Sequence, residues 1–351
     1  MWLRNCWYVI AWEHELADGA MVARTVLEEP ILVYRGAHGV VALADRCAHR
    51  AAPLSKGRRE GDAVRCGYHG LLFAADGRCV EAPGVASIPA KACVRTYPVV
   101  SHNRWVFVWM GEPALADPAL LPDNGPCDDP DWVYKPGYLH YDTPYLLICD
   151  NLLDFSHLSY VHENTLGGAT AIAQAPAKVA RLAHGIRVER RVPDVPPPPF
   201  WTSFQTFAGN LDRWFDYDFL LPGTLLMSSG GVPAGQSPED LTGGIEMRSC
   251  QTLTPETRNS THYFFQQSHR SHITDPGVTQ AIFDGLLRAF EEDRDMITAQ
   301  HEALLQTPDV EMVAMPMDVA LIQFRRLLQA RQREEQLAPA PAAPRREATP
   351  A

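Results

Sequence analysis

No stretch of about 18 consecutive apolar residues occurs, so the sequence offers no membrane-spanning helix. A Gly-rich dinucleotide fingerprint is also missing, so the chain does not itself read as a nicotinamide-cofactor enzyme. Positive charge is scarce: the net charge of -11 argues against nucleic acid as the main partner, because phosphate binding needs a basic surface. An anionic small molecule stays open, since one buried Arg can bind it whatever the overall charge. The opening Met1-Trp2-Leu3-Arg4-Asn5-Cys6 lacks the charged and apolar regions of a leader. The eight cysteines are scattered rather than framed in pairs, which predicts reduced thiols in a cytoplasmic protein and metal binding before disulfides. There is no internal repeat.

What is present suits two domains: 351 residues, 46% hydrophobic and 21% charged. Residues 1–115 read as short strands and turns, among them Val22-Ala23-Arg24-Thr25-Val26-Leu27, Ile31-Leu32-Val33-Tyr34-Arg35 and the wholly apolar Trp105-Val106-Phe107-Val108-Trp109-Met110. Residues 115–135, rich in Pro and Asp, read as a linker. The second domain, 116–335, opens with a helical stretch over 145–162. Strand regions follow at 178–192, 213–230, 245–254 and 261–267, with the stiff loop Pro193-Asp194-Val195-Pro196-Pro197-Pro198-Pro199 between the first two. A long amphipathic helix is expected over 276–305 and a shorter one over 317–335. The tail 336–351, with Ala-Pro-Ala-Pro-Ala-Ala-Pro, is expected to be disordered.

Two local motifs carry chemistry. Cys47-Ala48-His49 and Cys66-Gly67-Tyr68-His69 each put a Cys just before a His at a turn. That combination suits a Rieske [2Fe–2S] cluster, in which two thiolates hold one iron and two imidazoles the other. Pro53, Gly67 and Gly70 permit the tight turns and close backbone approach this needs. A zinc site is the competing arrangement, but zinc more often uses paired Cys on one knuckle and paired His on a helix. Arg46, Arg50, Arg58, Arg59 and Arg65 surround these loops, as a solvated charged face or as a docking patch for an acidic protein.

These motifs, with Arg4-Asn5-Cys6-Trp7-Tyr8-Val9, resemble the Rieske oxygenase family. They are most similar to the branch containing vanillate O-demethylase oxygenase, toluenesulfonate methyl-monooxygenase and dicamba O-demethylase. The resemblance runs from residue 3 to about 330, and 151–168 with Lys135-Pro136-Gly137-Tyr138 looks closer to the toluenesulfonate type. It implies an α+β chain: an N-terminal all-β Rieske domain and a C-terminal helix-grip, START-like domain built on an antiparallel sheet. It also implies a mononuclear Fe(II), a homotrimer, and a separate flavin/[2Fe–2S] reductase that draws on NADH or NADPH.

The second motif is Asp150-Asn151-Leu152-Leu153-Asp154-Phe155-Ser156-His157-Leu158-Ser159-Tyr160-Val161-His162. On an ideal helix five residues turn the chain by about 140° net, so His157 and His162 cannot point the same way unless the helix loosens or ends between them. Taken alone, they are ordinary helix-surface histidines. With a carboxylate they complete the two-His, one-carboxylate set that leaves open positions on Fe(II) for dioxygen. The resemblance selects Asp293 for that carboxylate, ahead of Glu292 and Asp295. It also makes Asp154 the bridge between a Rieske His of one subunit, His69, and His157 of the next, and it places Asn151 close to the iron. Asp154 itself reads as a helical neighbour of His157.

The implied activity is hydroxylation of a methyl or methoxy group on a small aromatic acid with O2. On a methoxy group this gives a hemiacetal that collapses to a phenol and formaldehyde. The alternative is an electron carrier or ligand-binding protein without a working second iron. Expected pocket walls are Trp214, Phe215, Tyr217, Phe219, Met227, Met247 and Phe283, with 163–176 as a lid. The pocket positions near Met227, Ser229 and Gln251 do not follow a vanillate-type pattern.

Overall fold

The computed structural model describes residues 2–337; the tail 338–351, expected to be disordered, lies outside them. The N-terminal lobe is all β. Its strands are β1 (Trp7–Trp12), β2 (Met21–Val26), β3 (Glu29–Gly36), β4 (Gly39–Ala44), β5 (Arg58–Glu60), β6 (Ala63–Arg65), β7 (Leu72–Phe73), β8 (Cys79–Glu81), β9 (Val99–His102) and β10 (Trp105–Trp109). They form three small antiparallel sheets, ordered β1-β10-β9, β2-β3-β4 and β5-β6-β7-β8. The wholly apolar β10 is buried throughout. Single-turn 3₁₀ helices then fill 113–127.

The second lobe is one seven-stranded antiparallel sheet with helices. Its strands are β11 (Trp132–Tyr141), β12 (Ala177–Arg181), β13 (Gly185–Val195), β14 (Leu211–Leu220), β15 (Thr224–Pro233), β16 (Ile245–Thr257) and β17 (Ser260–Arg270), in the order β11-β17-β16-β15-β14-β13-β12. The helices are α1 (Tyr145–Leu153), α2 (Ala171–Gln174), α3 (Pro199–Thr202), α4 (Pro276–Gln306) and α5 (Val319–Leu337).

Successive residues on a strand face opposite ways, and here both faces are covered. Phe215, Tyr217, Phe219, Tyr263 and Phe265 pack in one core with Ile148 and Leu152 of α1, Leu286 and Phe290 of α4, and Phe324 of α5. Cys250 and Phe264 point the other way, into Trp7, Trp12, Trp105, Phe107 and Trp109 of the first lobe. Polar bonds pin the same face: Thr254 Oγ1 donates to the Val9 carbonyl (2.7 Å), and Trp12 Nε1 to that of Gly137 (3.0 Å). Double coverage explains why β17 is buried almost end to end.

Several expectations need correction. The region 178–192 is two strands with a turn at 182–184, and 213–230 is likewise two, divided at Leu221-Pro222-Gly223. Strand β13 runs on to Val195, so only Pro196–Pro198 is loop before α3. The linker ends at Trp132, where β11 already pairs with β17. Gln336 and Leu337, assigned to the tail, close α5. No helix among the described residues is long and apolar enough to cross a membrane.

Candidate functional site

The two Cys-His loops leave β4 and β6 and close in the same way. The Cys47 N–H donates to the Ala52 carbonyl and the Cys47 carbonyl accepts from the Ala51 N–H; Cys66 pairs likewise with Leu71 and Gly70. Each closure needs a left-handed residue, Ala51 at φ 56° and Gly70 at φ 73°. A side chain on Gly67 would come within 2.7 Å of the Lys56 carbonyl, so the loop passes its neighbour only as glycine.

The donors are sorted by type. Cys47 and Cys66 are buried side by side, and burial pushes the Cys47 thiol up while the His49 and Arg50 N–H groups aimed at its sulfur pull it down. His49 and His69 sit exposed, ring centroids 4.6 Å apart. Thiolates inside and imidazoles outside is the division a Rieske cluster requires, and a tetrahedral zinc site has no use for it. Of the surrounding arginines, Arg65 is tied to Glu60 and Glu81, Arg58 to Glu60, and Arg59 lies over the Tyr34 ring. Arg46 and Arg50 stand exposed, and their side chains make no hydrogen bond or ion pair among the described residues.

The second site forms where the helical stretch breaks. The break comes earlier than expected: α1 ends at Leu153, Asp154 is extended (φ -128°, ψ 99°), and a 3₁₀ turn spans Phe155–Ser159. Asp154 is therefore not a helical neighbour of His157. Its carboxylate caps the turn, accepting from Ser156 N (2.9 Å) and Oγ (2.6 Å), while its backbone carbonyl accepts from His157 Nδ1 at 2.5 Å.

The buried His162 donates from Nδ1 to Glu292 at 2.7 Å, and Thr165 donates to the same carboxylate oxygen. With both Nδ1 atoms engaged, the Nε2 atoms are turned toward Asp293: His162 Nε2 lies 3.2 Å and His157 Nε2 3.5 Å from its Oδ1. Asn151 Nδ2 donates to that oxygen as well, at 2.9 Å. One donor atom from each of His157, His162 and Asp293 falls within 4.8 Å of the others.

Asp293 is 4% exposed. A buried carboxylate facing imidazoles calls for a cation, and a divalent metal ion meets that demand with the donors already converged. Burial lowers the His157 pKa. At His162 burial acts the same way but is outweighed by Asp293 and Glu292, so its pKa is raised. Glu292, the weaker ligand candidate, is the partner that orients His162, and Asp295 is exposed on the far side of α4.

These donors line a small, partly open cavity. Of the expected walls, Phe215 and Met227 border it; Trp214, Tyr217, Phe219, Met247 and Phe283 do not. Tyr217 stacks under Phe155 instead, and Trp214 lies on the opposite face of β14, bonded to Ser228. From the expected lid only Leu166 reaches the cavity. Phe200, Trp201, Gln267 and Arg213 line it without having been anticipated. Arg213 had a signal: it shares the two-residue period of Phe215, Tyr217 and Phe219.

Residues 6–98 match the Rieske [2Fe-2S] domain, and residues 141–334 match the vanillate O-demethylase oxygenase C-terminal domain. The chain is 44% identical to the iron-sulfur subunit of a toluene-4-sulfonate monooxygenase system from Comamonas testosteroni, over 93% of this chain and 96% of that one. It is 34% identical to the oxygenase component of dicamba O-demethylase from Stenotrophomonas maltophilia, over 92% and 96%. The crystal structure of dicamba monooxygenase bound to 3,6-dichlorosalicylic acid superimposes with a TM-score of 0.88 at 32% identity, covering 96% of this chain and 99% of that chain.

Proposed function

The chain belongs to the Rieske non-haem iron oxygenases as an oxygenase component, and from that premise we propose that it hydroxylates a methyl or methoxy group of a small aromatic acid. The observation that carries this reading is the meeting of His157 Nε2 and His162 Nε2 at Asp293 Oδ1 on the wall of a cavity. An electron carrier without a second iron has no use for it. The relatives named for toluene-4-sulfonate and dicamba suggest the substrate class, an aromatic ring bearing an acid group.

In this reading Cys47, His49, Cys66 and His69 hold the cluster, and His157, His162 and Asp293 hold the Fe(II). When bound, the two groups supply single electrons and reductive activation of O2 for insertion into a C–H bond. The chain's own residues do the rest. Glu292 and the Asp154 carbonyl fix both imidazoles in the tautomer that leaves Nε2 free. Asn151 holds the Asp293 carboxylate in place. Phe155, Leu158, Phe215 and Phe290 exclude water and hold the ring.

His69 is exposed, and among the described residues the carboxylate of Asp154 is engaged only by Ser156 and, at 3.7 Å, Arg190. Both facts suit a bridge in which Asp154 receives His69 of a neighbouring subunit, which implies a ring, a homotrimer. Residues 1–115 are one domain and 116–337, to the end of α5, the other. A separate reductase with flavin and a [2Fe–2S] centre passes on electrons from NADH or NADPH. A cytoplasmic location suits the six remaining cysteines, none of which forms a disulfide.

The test is turnover. Holoenzyme, a flavin/[2Fe–2S] reductase, NADH and O2 are offered methoxybenzoates and methylbenzenesulfonates. Formaldehyde or hydroxymethyl products support the reading; NADH-dependent turnover of none of them removes it.

A further inference from the structure

Arg213 stands on β14 two residues before Phe215 and lines the same cavity as His157, His162 and Asp293. It is 2% exposed. A guanidinium has five N–H donors. Here Nη1 donates to the Gly167 carbonyl (2.8 Å) and Nη2 to that of Leu166 (3.1 Å), and Nε–H has no partner among the described residues. Nothing offsets the charge: burial alone pushes its pKa down to about 9, with no acid acting on it. Its flat faces lie against Trp201 (4.8 Å) and Phe215 (5.1 Å), both of which also border the cavity.

A buried cation without an anion is costly, and removing one partner of such a pair costs several kcal/mol. The cost is met where a ligand brings the negative charge. Apart from the Asp293 and histidine donors, the other polar residues of the lining, Asn151, Ser229, Gln251 and Gln267, are neutral. The cavity thus carries one uncompensated positive charge flanked by aromatic walls, a lining suited to an aromatic anion.

We propose that Arg213 is the anion anchor of this cavity, binding the carboxylate or sulfonate of an aromatic substrate and so choosing which end of the ring faces His157, His162 and Asp293. The inference rests on reading the site as an oxygenase pocket. A fork of parallel N–H donors matches the planar oxygen pair of a carboxylate and two of the three sulfonate oxygens. With the acid group held there, a rigid ring leaves its far substituent free for the metal donors.

The test is calorimetric titration of anaerobic holoenzyme with 4-methylbenzenesulfonate, 4-methoxybenzoate and their neutral counterparts 4-methylbenzenesulfonamide and 4-methoxybenzamide. Wild type should prefer the anions. Arg213→Met should weaken the anions about 10–100-fold, the scale of a lost charged hydrogen bond, and the neutral pair by less than about 3-fold. The anion that loses more identifies the acid group the pocket is built for. If Arg213 only braces the Leu166 and Gly167 carbonyls, charged and neutral ligands weaken alike, and the proposal is overturned. Should the Met variant not fold, Arg213→Lys keeps a charge for those carbonyls but loses the fork; an unchanged anion preference in it overturns the proposal equally. If wild type binds and turns over none of the four compounds, the oxygenase-pocket reading falls and this inference with it. Turnover of the acids with anion preference intact in both variants removes only the role of Arg213.

Discussion

His162 Nε2 and Asp293 Oδ1 lie 3.2 Å apart, one from the turn after a broken helix and the other from the middle of a long one. Neither is aimed by its own rotamer alone. Glu292, beside Asp293 on α4, accepts from His162 Nδ1, so adjacent acids of one helix grip the two ends of one imidazole relationship. Thr165 Oγ1 then holds Glu292.

Removing that outer grip should weaken the metal without deleting a ligand. Glu292→Gln is expected to lower Fe(II) affinity about 10–100-fold, the usual cost of losing a partner of a ligating histidine. Iron titration of the apo mononuclear site checks it. Unchanged affinity would mean that Glu292 does not orient His162.

Asp154→Asn preserves the cap on Ser156, since an amide oxygen can still accept from its N–H, and leaves the backbone carbonyl that holds His157. Both metals should therefore stay. If the carboxylate bridges subunits, the pre-reduced variant should reoxidise its cluster in single turnover about 10–100-fold more slowly than wild type, on the scale of other losses next to metal ligands. An unaltered rate would restrict Asp154 to its capping role.

His262 joins the two lobes: Nε2–H donates to the Thr25 carbonyl at 3.0 Å and Nδ1 accepts from Tyr138 Oη at 2.8 Å. The second bond, with Nδ1 accepting, needs the neutral ring. Burial pushes its pKa down to about 4, against the pull of Glu256 and with help from Arg24 and His140. The unfolded chain takes up this proton near pH 6.5 and the folded chain only near 4, so between those values the unfolded state holds more protons. Stability should be full above pH 6.5 and fall toward pH 4, by on the order of 3 kcal/mol if this group acted alone. Glu256, whose pKa is lowered from 4.5, adds a loss of the same sign only below about pH 4.5. Denaturant midpoints at pH 7 and pH 5 check this. His262→Gln can keep both bonds without titrating and should show a flatter profile; an equal slope would assign the pH dependence elsewhere.

The parts legible in the sequence are those set by local chemistry. Cys47-Ala48-His49 and Cys66-Gly67-Tyr68-His69 bring their Cys and His side chains together as expected, because short spacing and turn residues are enough to form each half of the cluster of donors. The long period of α4 was equally plain, and with the family resemblance it singled out Asp293. Less visible was whatever depends on partners distant in the chain. Ala51 performs the left-handed closure that Gly70 performs, yet nothing in its residue type says so. The break at Asp154 depends on its carboxylate capping Ser156, which a helical spacing rule cannot register. Trp214 and Tyr217 missed the cavity because strand register and packing against Phe155 decide which aromatics face it. The turn at Leu221-Pro222-Gly223 was readable from its Pro-Gly step, and merging β14 with β15 overlooked it.

The central claim is a cluster in one lobe serving a separate iron in the other, and metal counting tests it most directly. Anaerobically loaded wild-type chain should carry about three irons and about two acid-labile sulfides, with a Rieske spectrum. His162→Ala should lose about one iron and all turnover while sulfide and spectrum stay unchanged. Zinc in place of iron in the wild type, or a His162→Ala chain with wild-type iron content and turnover, would contradict the account.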